Sequence, residues 1–168
     1  YWNKERAIFY SSPLKRVRVV VYTIFLLPLC LYSQSFGYLL QPNLGRVVIL
    51  DTNKRQVGGF ISTKAQQLTA LDFDLEENRL YVTSKKEQSL EVIDCTNHIL
   101  AGRIELPSAP IALAVGKRYI YITSVAGIIQ IVKNSLKIES IIPTKAVAGS
   151  LLIQLSPDEN IAYIAAAS

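Results

Sequence analysis

The chain has 168 residues, of which 50% are hydrophobic, and its 18 basic and 13 acidic side chains give a net charge of +5 at pH 7. This composition is too apolar for a disordered chain, and the length is sufficient for one domain core. Most of the excess positive charge lies within residues 1–35, so the rest of the chain is nearly neutral. That part also lacks the basic residues interleaved with aromatic ones that nucleic-acid binders show, which argues against a nucleic-acid partner.

A basic stretch followed by a hydrophobic one lies near the start of the chain. Lys15, Arg16 and Arg18 precede the apolar residues 19–31, and a small polar stretch follows at 33–35. This order predicts a secretory signal peptide over residues 1–35, because such a helix would reach only about 20 Å into a hydrocarbon core of about 30 Å. If the apolar stretch extends to Leu40, it is long enough for an uncleaved membrane anchor, which is the alternative. Both interpretations predict a secreted, periplasmic or cell-surface protein that contacts a membrane only through this segment.

Two further features concern the chain as a whole. It begins at Tyr1 and contains no methionine, which predicts a piece of a longer reading frame. Cys95 is the one cysteine that follows the leader, so no disulfide is expected within the body, and its stability has to come from packing.

A repeat of about forty residues runs through the body of the chain, residues 36–168. The tyrosines that mark it are Tyr38, Tyr81, Tyr121 and Tyr163, spaced 43, 40 and 42 residues apart. The repeats therefore cover about 38–80, 81–120 and 121–162. Asp51 and Asp94 each follow a marker tyrosine at the same distance. Because Asp side chains bond to their own backbone in tight turns, we predict hairpin turns at these two positions rather than a chemical role.

Each repeat contains four short runs of aliphatic, aromatic and β-branched residues, separated by Gly, Pro, Asn, Asp and Ser. This pattern predicts four β-strands per repeat and an all-β fold. In the clearest repeat the strands are predicted near residues 68–73, 79–83, 89–93 and 99–104. The marker tyrosine then lies on the second strand of each unit.

Three segments resemble a known repeat family. Arg79-Leu-Tyr-Val-Thr-Ser84, Leu90-Glu-Val-Ile-Asp94 and Leu155-Ser-Pro-Asp-Glu-Asn160 look like the YVTN-type repeat of surface and periplasmic β-propellers. The LVIVD-type propeller repeat is an almost equally good match, especially over residues 111–132. Ser84, Ser124 and Glu159 depart from the YVTN pattern. Both families imply an all-β propeller with blades of four antiparallel strands, of which this chain supplies about three, preceded by the hydrophobic leader.

In this register the body starts with the second strand of one blade and stops after the second strand of another. We therefore expect an N-terminal fragment of a longer propeller, because an open ring leaves unpaired sheet edges. A homo-oligomeric ring of such pieces and a degraded gene without function of its own are the alternatives.

The sequence offers little support for catalysis or for a cofactor. His98 and Cys95 are too few ligands for a closed metal site, so we predict a solvent-exposed turn histidine. No nucleophile elbow, Walker-type loop or G-x-G-x-x-G motif is present. Asp72 and Asp74, two residues apart on a predicted inner strand, share a face and could hold a cation or act as acid and base. A hydrated strand end is the commoner explanation of such a pair, so we expect no catalytic residue, no metal site and no cofactor.

Binding through loops is the function that the pattern favours. In a propeller, the loops at about residues 62–67, 85–88, 105–110 and 143–149 should lie on one face. Lysines outnumber acidic residues there, and the candidate binding residues are Lys64, Lys85, Lys86 and Lys145. We therefore predict an exported, non-catalytic module that binds a protein, a glycan or a small ligand at the envelope or surface. The alternative is the propeller part of a periplasmic oxidoreductase or a lactonase-type hydrolase.

Overall fold

The computed structural model describes residues 35–143 and 150–166, all within the compact unit Gln34–Ser168. Apart from one short 3₁₀ turn over Pro42–Leu44, the regular structure there is β-strand. The strands are β1 Phe36–Gln41, β2 Arg46–Asp51, β3 Gln56–Ser62, β4 Leu68–Asp74, β5 Arg79–Ser84, β6 Ser89–Asp94, β7 Ile99–Glu105, β8 Pro110–Val115, β9 Tyr119–Ser124, β10 Gly127–Val132, β11 Lys137–Ile142, β12 Ser150–Leu155 and β13 Ala162–Ala166. The predicted leader lies outside the described residues. Within the described residues, no helix is long and apolar enough to cross a membrane.

The described strands form four antiparallel sheets in chain order. The first sheet contains β1 to β3, the second β4 to β7, the third β8 to β11, and the fourth β12 and β13. The predicted strands of the second sheet are confirmed to within one residue at each end. The tyrosine strand is second in both four-stranded sheets and in the fourth sheet, as predicted. In the first sheet the tyrosine strand is the first of three strands. This agrees with the prediction that the first unit begins at its second strand.

The turns after Asp51 and Asp94 confirm the structural interpretation of these residues. Oδ1 of Asp51 accepts a hydrogen bond from the Lys54 amide, at 2.9 Å, and Oδ1 of Asp94 accepts one from the Thr96 amide, at 2.8 Å. In both turns the residue before the next strand has a left-handed backbone, with φ of 53° at Arg55 and 55° at His98. The aspartates therefore cap tight hairpins between the third and fourth strands.

A backbone hydrogen bond recurs at the same place in three sheets. The residue after the third strand donates its amide to the carbonyl of the residue before the second strand. The pairs are Thr52 to Ser35, Cys95 to Asn78 and Lys133 to Arg118, each at 3.0 Å. Thr52, Cys95 and Lys133 are thus structurally equivalent, although their side chains have nothing in common.

The hydrophobic core lies between neighbouring sheets. One cluster joins the first two sheets. In it, Leu80, Val82 and Ile93 of the second sheet pack against residues of the first sheet, namely Val47, Ile49 and Ile61. Residues on the opposite side of the second sheet, such as Tyr81, pack against the third sheet. Strand β5 is therefore buried on both faces, as the two-residue period of a strand requires when sheets cover it on each side. The first strands also lie side by side, with β8 in contact with both β4 and β12.

Candidate ligand-binding surfaces

Two of the predicted loops are joined on one face of the protein. The amide of Lys85 donates to the carbonyl of Gln67, at 3.1 Å, and Nζ of Lys86 donates to Oε1 of Gln66, at 2.8 Å. The Gln66 amide in turn donates to Oε2 of Glu87, at 2.9 Å. We call residues 63–67 and 85–88 the lysine face. Its loops are fixed by hydrogen bonds at several points, so their side chains project from a defined backbone.

The structure brings three of the four predicted lysines to this face. Lys64, Lys85 and Lys86 are exposed there, whereas Lys145 lies outside the described residues. Glu87 stands among them, half-buried, and its pKa is lowered by hydrogen bonds from the Ser84 hydroxyl and the Gln66 amide. The lysine face therefore combines three exposed cationic side chains, one of which is bonded to Gln66, with one fixed carboxylate.

Glu91 is a buried carboxylate beneath the lysine face that the sequence analysis did not single out. Its side chain is 1% exposed, and the Lys64 amide donates to both of its oxygens, at 3.1 and 3.3 Å. Nη1 of Arg103 lies 3.4 Å from Oε1. Burial raises the pKa of Glu91, and the attraction of Arg103 and the Lys64 amide only partly opposes it. The sequence contained a feature that could have identified Glu91, because this single acidic residue interrupts the apolar run of β6.

Asp72 and Asp74 do share a direction, as predicted, and both reach the third sheet. Oδ2 of Asp72 accepts a hydrogen bond from the Val115 amide, at 2.7 Å. Oδ2 of Asp74 accepts one from Nζ of Lys133, and these two side chains are 6% and 3% exposed. Burial opposes the ionisation of Asp74, but the bonds from Lys133 and from two backbone amides outweigh it and lower its pKa. Both carboxylates therefore join neighbouring sheets, and the prediction of a hydrated strand end is wrong for the buried Asp74.

His98 corrects a second prediction, because it is not a freely exposed turn residue. Its Nε2 lies 3.3 Å from the hydroxyl of Tyr38 in the first sheet, and its ring meets that of Phe36 edge-on, with the ring centres 5.1 Å apart. The imidazole is half-buried between the first two sheets. Within residues 35–143 and 150–166, no group of three or more His, Cys, Asp or Glu side chains is arranged to hold a metal ion.

Solved structures with the same arrangement of sheets are longer than this chain. Hydrazine synthase from Kuenenia stuttgartiensis matches with a TM-score of 0.71 and 18% identity over 77% of this chain and 38% of its own. Dihydro-heme d1 dehydrogenase NirN in complex with DHE matches with a TM-score of 0.64 and 14% identity, over 79% of this chain and 30% of its own. Apo AztD from Citrobacter koseri matches with a TM-score of 0.56 and 18% identity, over 67% of this chain and 33% of its own. This chain spans 30% to 38% of these three structures. At the level of sequence, no protein-family model and no curated protein matches.

The described sheets are β-propeller blades. The agreement of fold with these structures at low sequence identity confirms the expected all-β class with blades of four antiparallel strands. In this geometry the loops that leave the second and fourth strands lie at one end of the blades. The lysine face occupies that end of the first and second blades.

Proposed function

We propose that this chain is the propeller part of an exported, non-catalytic binding module whose lysine face contacts an acidic ligand. The supporting observation is the pair of loops that hydrogen bonds hold together, with the side chains of Lys64, Lys85 and Lys86 exposed on them. Loops that a rigid scaffold positions are where binding residues concentrate in proteins. Acidic glycans and acidic protein segments are the ligands that this charge pattern suits.

Electrostatic attraction on such a surface has a defined signature. The three ammonium groups are exposed, so their attraction to an anionic ligand is screened over about 8 Å at physiological ionic strength. Glu87 keeps its charge at neutral pH because its pKa is lowered, and it would orient the ligand by excluding anionic groups from its side of the surface. Affinity should therefore fall steeply with added salt.

A matched pair of double variants tests the role of the lysine face. The probe is a heparin-derived octasaccharide, followed by calorimetry at low and at physiological salt. Lys64→Glu with Lys85→Glu is expected to weaken binding about tenfold or more, which corresponds to about 1.4 kcal/mol. The control, Lys117→Glu with Lys137→Glu, changes the net charge equally at exposed positions elsewhere and should bind nearly as the parent does. Equal losses in both variants would show that net charge alone attracts the probe and would contradict the proposal.

Export and repeat type form the finer part of the proposal. The leader at residues 1–35 and the YVTN-like segments support a surface or periplasmic propeller. Expression in a Gram-negative host with the leader placed after an initiator methionine, followed by fractionation and intact-mass measurement, tests export. A periplasmic product that begins near residue 36 is expected. A membrane-bound product of full mass would favour the uncleaved anchor, and a cytosolic product would contradict export.

A second candidate is the propeller part of an oxidoreductase. It is favoured by two of the similar structures, a hydrazine synthase and a dihydro-heme d1 dehydrogenase in complex with DHE. Titration with haem, followed by visible absorption, separates the two candidates. An absorption band that shifts on binding and is lost in His98→Ala would favour the oxidoreductase. An unchanged spectrum is the result expected for the binding module.

A further inference from the structure

A cleft opens between the first and second blades, away from the lysine face. Its volume is about 420 Å³, and the rings of Phe36, Tyr38 and Phe73 contribute to its walls. Cys95 is one of its lining residues, and Leu75 is at its rim with 49% of its surface exposed. The cleft lies at the start of strand β5 and the lysine face at its end. A six-residue strand of about 3.3 Å per residue separates them by about 20 Å.

The equivalent place at the next blade junction is filled. Cys95 and Lys133 occupy equivalent positions, since each donates its amide across the same turn. Between the second and third blades, the Lys133 ammonium fills this position and pairs with Asp74, and Glu77 lies 3.5 Å away. Between the first and second blades this position holds the shorter, uncharged Cys95, which is one of the residues that line the cleft. The two junctions therefore differ at this position, with a buried ion pair at one and an uncharged lining at the other.

The chemistry of the cleft is aromatic and uncharged. The rings of Tyr38 and Phe73 stack, with their centres 6.0 Å apart and their planes at 19°, and none of the described residues that line the cleft is Asp, Glu, Lys or Arg. Burial raises the pKa of the Tyr38 phenol and of the Cys95 thiol, so both groups are neutral at physiological pH. The Tyr38 hydroxyl pairs with His98, and Nδ2 of Asn78 donates to the Thr96 hydroxyl at 3.1 Å. The oxygens of Tyr38 and Asn78 can still accept a hydrogen bond from a ligand and orient it.

We propose that this cleft binds a small, neutral, flat aromatic molecule that carries at least one hydrogen-bonding group. Its volume lies within the range of about 300–1,000 Å³ typical of small-molecule sites. Aromatic walls favour a planar ligand, because stacked and edge-on ring contacts stabilise it beyond the area that it buries. The absence of charge in the lining selects against ionic ligands, since a charge there would lose its hydration without gaining a partner. This site is independent of the proposed contact with acidic ligands.

Titration with Nile red, a neutral planar dye whose fluorescence rises in apolar surroundings, tests the proposal. Leu75→Lys places an ammonium at the rim and is expected to weaken dye binding about tenfold. The control is Leu44→Lys, which makes the same change at a residue that is 63% exposed and does not line the cleft. It should bind as the parent does. Thr96→Trp, at an exposed residue of the lining, fills the cleft without adding charge and should also weaken binding.

A second measurement reports on the cleft directly. Cys95 is 5% exposed and its thiol is neutral, so its alkylation by iodoacetamide is slow and is followed over hours by mass spectrometry of the peptide that contains it. This alkylation should slow several-fold further when the dye is present at saturation. Reading that peptide alone separates Cys95 from Cys30. Loss of binding in Leu75→Lys and Thr96→Trp, together with protection of Cys95, would support the proposal. Equal dye binding in all variants, no dye binding at all, or unprotected Cys95 would overturn it.

Discussion

The ion pair between Asp74 and Lys133 joins the second and third blades, and Asp74→Ala is the substitution that tests its contribution. The two side chains are 6% and 3% exposed, so water screens their attraction little. Oδ1 of Asp74 also accepts hydrogen bonds from the amides of Glu76 and Glu77, at 2.9 and 3.3 Å. Removing the carboxylate therefore breaks three bonds and leaves a buried ammonium behind.

The magnitude follows from these contacts. Breaking a buried pair by removing one partner costs about 3–5 kcal/mol, because the remaining charge is uncompensated. Glu77 Oε1 lies 3.5 Å from the Lys133 ammonium and compensates part of that charge, so we expect a loss of about 3 kcal/mol. Most domains have a free energy of unfolding of about 5–15 kcal/mol, so this loss should be plain in a urea titration followed by circular dichroism.

The double variant distinguishes the ion pair from the turn that surrounds it. With Lys133→Met in place, Asp74→Ala breaks only the two amide bonds, which should cost about 1–2 kcal/mol. The coupling energy between the two positions is therefore expected to be about 1–2 kcal/mol. A loss below about 1 kcal/mol for Asp74→Ala, or strict additivity of the two substitutions, would refute the reasoning.

The direction of the pKa shifts sets the pH range of this stabilisation. The pKa of Asp74 is lowered, so its contribution is present above its unfolded value of about 3.9 and is lost as the pH falls through the folded pKa. Burial opposes the charge of Lys133, but the bond from Asp74 prevails and raises its pKa. The contribution of Lys133 to stability is therefore present below about pH 10.4, its unfolded pKa, and is lost as the pH rises through the folded pKa. The difference in stability between the parent and Asp74→Ala should hold between these limits.

Two further predictions concern other buried positions. Burial raises the pKa of Glu91, so its contribution is greatest below about 4.3 and is lost as the pH rises through the folded pKa. Glu91→Gln should therefore flatten the pH dependence of the free energy of unfolding between pH 4.5 and 7.5, and an unchanged slope would contradict this. Gly127 has a φ of 133°, and a Cβ there would overlap the carbonyl oxygen of Ile142. Gly127→Ala should therefore lower the free energy of unfolding in a urea titration by about 2 kcal/mol or more. Gly37→Ala is the control, because a Cβ there has its nearest contact at 3.7 Å, and it should cost about 1 kcal/mol or less. Equal losses in the two variants would count against the steric argument.

The sequence by itself determined the repeating unit, its four strands and its turns. These features depend on neighbouring residues: the alternation of side chains along a strand, and an aspartate that bonds to the backbone two or three residues further on. The spacing of the tyrosines was enough to place the second strand of each blade. The placement of Lys64 and Lys85 on one face also followed, because the loop order of the repeat places both at the same end of the blades.

The tertiary structure alone decided which side chains meet between blades. Lys133 is 59 residues from Asp74, and His98 is 60 residues from Tyr38. Nothing in the local pattern of either partner specifies such a contact, because it depends on how one sheet stacks on the next. The same reason explains why Asp74 was predicted at a hydrated strand end and why Glu91 was overlooked. The cleft likewise depends on how two blades stack, since Phe36 and Tyr38 of the first blade and Phe73 and Cys95 of the second line it together.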